Sequence, residues 1–144
     1  MQKNVLFICR HNSGRSQMAE AMLNRLGKGW LKAESAGLEP KSIDGLVVTV
    51  MDEIGYDLSR KRSKDVFSFY KQGRLFDYVI TVCDKETEDG CPVFPGIVER
   101  LNWPFEDPSE VQGDDDERLS KVRNIRDAIL LRIELFIKDE GFVS

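Results

Sequence analysis

Val5-Leu6-Phe7-Ile8-Cys9-Arg10-His11-Asn12-Ser13-Gly14-Arg15-Ser16 passes from four consecutive apolar residues into a polar loop and then into a helix start. An unbroken apolar run of this length suits a strand buried on both faces, as in a parallel sheet. From Ser16 onward Met18, Ala21, Met22 and Leu26 recur at helical spacing, and Gly27 and Gly29 supply a stop. The unit is strand, loop, helix. Cys9 and Arg15 stand with five residues between them across the loop and Ser16 behind them, the pattern C-x5-R-S. A loop wrapped at a helix N-terminus turns backbone N–H groups toward one point and so forms a nest for a tetrahedral oxyanion such as phosphate or arsenate. Arg15 adds a planar fork for two of the oxygens. The same positive field favours a thiolate, which makes Cys9 the expected nucleophile with Ser16 donating to its sulfur. Arg10, His11, Asn12, Ser13, Gly14, Arg15 and Ser16 form the expected oxyanion-binding loop, with Asn12 and Ser13 bracing it and His11 and Arg10 on its rim.

Outward from this unit, residues 31–35 read as a second strand and residues 43–54 as a second helix, with Ser42 a suitable N-cap. Residues 60–66 are basic and irregular, residues 67–72 suit a short helix, and residues 77–82 are strongly β-prone. Cys83 follows that strand directly. Residues 84–95, with Gly90, Pro92 and Pro95, read as a long loop, and a short strand fits residues 98–101. Leu119, Val122, Ile125, Ile129, Ile133 and Phe136 recur every three or four residues, which gives an amphipathic helix over residues 116–138. Strands alternating with helices imply a doubly wound parallel sheet with its ligand site beyond the carboxyl ends of the strands. Residues 1–144 read as one α/β domain.

The 144 residues are 41% hydrophobic and 32% charged, with a formal net charge of -4. No apolar run is long enough to span a membrane, and Val5-Leu6-Phe7-Ile8 is too short for a signal-peptide core, so no membrane association and a cytoplasmic location are expected. An acidic balance without a basic stripe argues against a nucleic-acid partner. Arg60, Lys61, Arg62 and Lys64 suit anion steering or a solvated loop equally well. The three cysteines form no CxxC pair and the one histidine is His11, so the ligand spacing of a zinc site is missing. In a reducing compartment such free thiols point to reactivity.

The segments VLFICRHNSGRSQMAEAMLN, SAGLEP, VITVCDKETEDGCPVFPG and LNWPFEDP resemble those of the thioredoxin-coupled arsenate reductases, which share the fold of the low-molecular-weight protein tyrosine phosphatases. The resemblance runs through nearly the whole chain. It implies a four-stranded parallel sheet in the order 2-1-3-4 flanked by helices, and reduction of arsenate to arsenite. If strand 3 lies beside strand 1, Cys9 and Cys83 follow neighbouring strand ends about 4.8 Å apart, close to the usual disulfide reach. By resemblance, Cys9 attacks arsenate, Cys83 attacks the Cys9 adduct, and Cys91 then takes over Cys83 to leave a disulfide for thioredoxin.

Asp107-Pro108, after Trp103-Pro104-Phe105, resembles the family's general acid. In the phosphatases a pair of tyrosines follows this Asp-Pro, whereas here Ser109 and Glu110 follow. Some members of the family that the chain resembles bind potassium beside the oxyanion loop through an Asn, a Glu, a Ser and an Asp. Asn12, Glu20 and Ser35 match the first three; an ungapped alignment puts Lys64 at the fourth, and a one-residue shift restores Asp65. Three readings follow: a thiol-relay arsenate reductase, a tyrosine or small-molecule phosphatase using Cys9, Arg15 and Asp107, and a noncatalytic oxyanion sensor. The downstream cysteines and the missing tyrosine pair favour the first.

Overall fold

A computed structural model describes residues 2–141; Met1 and the last three residues of the expected 1–144 domain lie outside the described residues. Strands β1 (Lys3–Cys9), β2 (Leu31–Gly37), β3 (Tyr78–Thr81) and β4 (Glu99–Asn102) alternate with helices α1 (Arg15–Leu26), α2 (Gly45–Asp52), α3 (Val66–Lys71), α4 (Lys85–Glu88) and α5 (Asp115–Asp139). The sheet order is β2-β1-β3-β4 and every neighbouring pair is parallel. This is the expected 2-1-3-4 arrangement.

Val5, Leu6, Phe7 and Ile8 are completely buried because both faces of β1 are covered. Val5, Phe7 and Cys9 point into the main core with α1, α2 and α5; Leu6 and Ile8 point into a smaller core built with Val66 and Phe69 of α3, Phe76 and Phe94. Alternation along the strand thus assigns the two layers. In α5, Val122, Ile125, Ile129, Ile133 and Phe136 form the buried stripe. Its start is set by a capping box in which Asp114 accepts from the Glu117 N–H and the Glu117 side chain returns to the Asp114 N–H.

Two expectations change. The second helix begins at Gly45 with Asp44 as its cap, accepting from the Leu46 N–H at 2.9 Å, and Ser42 takes no part. The Asp44 N–H in turn donates to the Ser13 carbonyl, so the oxyanion loop selects the capping residue. The expected loop over residues 84–95 contains the single helical turn α4. Its four residues carry no apolar periodicity, and Asp84 supplies its cap by accepting from the Thr87 N–H at 2.8 Å.

Candidate active site

Cys9 ends β1, and Ile8 is in register with Thr81, the last residue of β3, so Cys83 stands two residues beyond the end of that neighbouring strand, just past the level of Cys9. The site therefore opens beyond the carboxyl ends of the central strands. Around it every carbonyl from Cys9 to Gly14 is drawn outward. Leu38, Glu39, Lys41 and Asp44 donate their N–H groups to the carbonyls of Cys9, Arg10, His11 and Ser13, Met18 N–H donates to that of Gly14, and the Ser63 hydroxyl is shared between the carbonyls of Asn12, at 3.0 Å, and Lys41. In a planar trans peptide the N–H points away from the C=O, so this wiring turns the loop amides inward. Gly37 permits it: a Cβ there would lie 2.7 Å from the Asn12 nitrogen and 2.8 Å from the His11 carbonyl carbon.

Asn12 carries φ of 51°, a left-handed conformation uncommon outside glycine. Its fully buried amide justifies the strain. Nδ2 donates to Ser16 Oγ at 2.7 Å, while Oδ1 accepts from Gln17 Nε2 at 3.0 Å and from the Lys64 N–H at 2.8 Å. The Asn12 N–H then donates to Cys9 Sγ at 3.1 Å, and Ser16 Oγ lies 2.8 Å from the same sulfur. These contacts suit negative charge on the sulfur.

Arg15 is buried, with one guanidinium nitrogen donating to the Phe105 carbonyl at 3.0 Å and another 3.5 Å from Asp107 Oδ2. Asp107 Oδ1 accepts from the Ser109 N–H and hydroxyl, so a short 3-10 turn at Pro108–Glu110 holds the carboxyl over the loop. Pro108 also covers Gly14, where a Cβ would meet its Cγ at 3.3 Å. These groups border an open cavity of about 1020 Å³, whose rim includes Arg10, His11, Lys41 and Lys121. His11 Nδ1 is 2.9 Å from the Glu39 carbonyl, which fixes the ring at the mouth.

Cys83 is fully buried, and burial pushes its thiol up to about 12 despite the opposing charge of Arg15. Cys91 is half-buried and pushed up to about 11, again by burial, with Arg100 opposing. All three cysteines are free thiols. Cys9 and Cys83 belong to the main core, whereas Cys91 packs against the smaller one.

The residues compared with a potassium site divide. Ser35 Oγ donates to Glu20 Oε1 at 2.9 Å, and the Lys64 ammonium stands 3.2 Å from the same oxygen with that of Lys61 3.6 Å from Oε2. Asp65 turns away to cap α3, accepting from the Phe67 N–H. Asn12 Oδ1 is occupied by its two donors. An ammonium already on Glu20 and a diverted Asp65 do not fit a cation cage. Sequence reasoning missed Gly37, Asp44, Ser63 and Gln17 as loop supports; Gly37 lies in the segment SAGLEP, but only the folded chain brings it under Asn12.

A cysteine on the floor of an amide-lined loop, roofed by Arg15 and Asp107 at the carboxyl ends of a parallel sheet, makes a pocket with the shape and polarity to suit a tetrahedral oxyanion. The model of the low molecular weight phosphotyrosine protein phosphatase family matches residues 4–134. The chain belongs to that family. An arsenate reductase of Halalkalibacterium halodurans is 38% identical over 136 residues, covering 94% of this chain and 95% of the other. The crystal structure of an arsenate reductase from Archaeoglobus fulgidus superimposes with a TM-score of 0.72 at 32% identity, over 93% of this chain and 98% of that one. A thioredoxin-dependent arsenate reductase of Corynebacterium glutamicum gives a TM-score of 0.62 at 32% identity, over 93% of this chain and 63% of the other. Among the described residues no helix is long and apolar enough to cross a membrane.

Proposed function

We propose that this chain reduces arsenate to arsenite, with Cys9 as nucleophile and Cys83 and Cys91 as the thiols that take up the oxidation. The observation that carries this reading is Cys83, a buried thiol just beyond the level of Cys9 and in the field of Arg15, for which phosphate-ester hydrolysis has no use. Likeness to arsenate reductases over nearly the whole chain supports the same substrate.

Arsenate occupies the inward amides of residues 10–16 and the Arg15 fork. The Cys9 thiolate attacks arsenic, and one oxygen leaves as water with a proton from Asp107. Cys83, deprotonated as it gives its proton to an arsenic-bound oxygen, attacks Cys9 Sγ. The S–As bond breaks with its electron pair left on arsenic, so As(V) becomes As(III), arsenite departs, and a Cys9–Cys83 disulfide forms. Cys91 then attacks Cys83 Sγ, releasing the Cys9 thiolate and leaving a Cys83–Cys91 disulfide; its proton goes to solvent. A dithiol of the thioredoxin class restores the reduced state. Three reduced thiols require a reducing compartment, which supports a cytoplasmic setting. No step passes through potassium.

The contact of Arg15 with Asp107 above Cys9 also supports a second activity, slow hydrolysis of small phosphomonoesters through a phosphocysteine. Substitutions separate the two. Cys83→Ser is expected to abolish arsenite release through the internal relay while sparing most p-nitrophenyl phosphate hydrolysis. Cys91→Ser is expected to stop after one turnover with Cys9 and Cys83 bridged, as located by mass spectrometry. Wild-type rates of thioredoxin-driven arsenate turnover in both variants would remove the relay.

A further inference from the structure

The segment that separates Cys83 from Cys91 is held mainly by its own short-range bonds. Thr87 N–H donates to Asp84 Oδ1, Glu88 N–H to the Asp84 carbonyl, Gly90 N–H to the Thr87 carbonyl and Cys91 N–H to the Glu88 carbonyl. Among the described side chains of residues 84–91, the Glu88 carboxylate is the one hydrogen-bonded to the sheet. It accepts from Thr81 Oγ1 at 2.5 Å. Thr81 ends β3 and is 2% exposed. Asn102 Nδ2 donates to the same hydroxyl at 2.7 Å, and the Leu101 carbonyl stands farther off at 3.4 Å. The same Asn102 nitrogen is 3.2 Å from the Cys83 carbonyl.

A continuous chain of hydrogen bonds therefore links the backbone of Cys83 through Asn102 and Thr81 to Glu88, and Glu88 lies within the turn that presents Cys91. The Cys91 side chain packs against the smaller core, whereas Cys9 and Cys83 belong to the main one, and the Cys91 thiol lies 3.9 Å from the Thr87 carbonyl of the same turn. To bridge Cys83, Cys91 has to leave this packing, and Glu88 moves with it.

We infer that Thr81, Glu88 and Asn102 are positioning residues that form a latch, holding Cys91 in the smaller core until Cys83 has reacted with Cys9. This rests on the reductase reading. When Cys83 is drawn to Cys9 Sγ, its carbonyl shifts relative to Asn102, and the Asn102–Thr81–Glu88 chain loses its alignment. Glu88 is released, Cys91 comes free, and its thiolate attacks Cys83 Sγ; the Cys83–Cys91 bond forms as the Cys9–Cys83 bond breaks, with the electron pair and negative charge leaving on Cys9. While both thiols are reduced, the latch keeps Cys91 apart from Cys83, so that an external oxidant such as a peroxide does not bridge them before arsenate has reacted. Burial of the Cys91 thiol, which holds it up to about 11, adds to that protection while the latch is closed.

The test uses reduced full-length protein with Thr81→Val, which removes only the hydroxyl at nearly constant volume, and Glu88→Ala on the half-buried partner. Iodoacetamide labelling near neutral pH, followed by mass spectrometry, reads Cys91 opening without any arsenate. Loss of a hydrogen bond to a charged group should raise Cys91 labelling about tenfold in either variant, with Cys9 and Cys83 labelling and the melting temperature held near wild type. Glu88→Gln, which keeps an acceptor, should fall between. In single turnovers with arsenate and no reductant, quenched in acid, the Cys9–Cys83 species should be shorter-lived in both variants. Cys91 labelling within twofold of wild type in both, or a parallel rise at all three cysteines with a lower melting temperature, would overturn the latch. Absence of any Cys83–Cys91 bridge in the wild type after arsenate would instead sink the reductase reading, a result independent of the labelling.

Discussion

The oxyanion loop and the segment between Cys83 and Cys91 both follow a central strand, yet they are held in opposite ways. The loop is braced from outside: Leu38, Glu39, Lys41, Asp44, Ser63, Lys64 and Gln17 bond to it, and every carbonyl from Cys9 to Gly14 has a partner. The redox segment is braced from within, and Glu88 reaches the sheet. A site that must present inward amides and a poised sulfur gains from rigidity, because preorganised dipoles need no rearrangement as charge develops. A thiol that must travel gains from local bonds that open together. In the proposed reaction the two regions divide chemistry from transport.

The largest expected effect falls on the rigid side. Cys9→Ser should lower both arsenate reduction and phosphate-ester hydrolysis by more than about a thousandfold while leaving the circular dichroism spectrum unchanged. Residual turnover near wild type would place the nucleophile elsewhere and dissolve the contrast between the regions.

Gly37→Ala should come next, since its Cβ would meet the Asn12 and His11 backbone rather than a side chain able to move. A cost of about 1–3 kcal/mol in stability, measured by urea unfolding, is expected from such overpacking, together with loss of phosphate binding by calorimetry. Wild-type phosphate affinity would mean that the outer segment does not orient the amides. At Asn12 the same idea can be sharpened: Asn12→Gly and Asn12→Ala both lose the amide network, but the glycine relieves the left-handed strain. It should be the more stable by roughly 1 kcal/mol.

A smaller effect concerns the mobile side. Burial raises Cys83 to about 12 and Cys91 to about 11. Their stabilising contribution is complete below the unfolded thiol value of about 8.5 and is lost as pH rises through the folded values, because the unfolded chain gives up these protons first. Thermal melts of the reduced wild type should therefore fall more steeply above about pH 9 than those of the Cys83→Ser, Cys91→Ser double variant. Equal slopes would mean that neither thiol is shielded when closed.

The smallest expected effect is that of potassium. With the Lys64 ammonium on Glu20 and Asp65 capping α3, replacing sodium by potassium should shift the melting temperature by less than about one degree. A potassium-specific rise of several degrees would require Lys64 to give way to the ion.

Much of this architecture is legible in the chain itself. The four-residue apolar run of β1, the 3.6 periodicities of α1 and α5 and the C-x5-R-S spacing carry the sheet, its order by family likeness, and the place of Cys9. What escapes is tertiary. Ser42 and Asp44 are both good caps, and the choice of Asp44 depends on Ser13, which is distant in sequence. Lys64 and Asp65 differ by one residue, and pairing of Gly37 with Asp65 determines which of them faces Glu20. The turn α4, Lys-Glu-Thr-Glu, contains no apolar residue, so no periodicity marks it in the sequence, and the bond of its Glu88 carboxylate to Thr81 exists only in the folded chain.

The outward wiring of the carbonyls also limits how far the loop can be transplanted. Grafting Cys9 through Ser16 onto another strand–helix junction would carry over the thiol, the arginine and the spacing, but not the donors on residues 38, 39, 41, 44 and 63 that turn each peptide plane. Without them the recipient's peptides would orient to suit their own neighbours, and the graft would bind anions through Arg15 alone. A designer borrowing this site would have to import the crossover after β2 and the stretch before α3 as a discontinuous scaffold, since the motif's eight letters specify ingredients and the surrounding chain specifies their orientation.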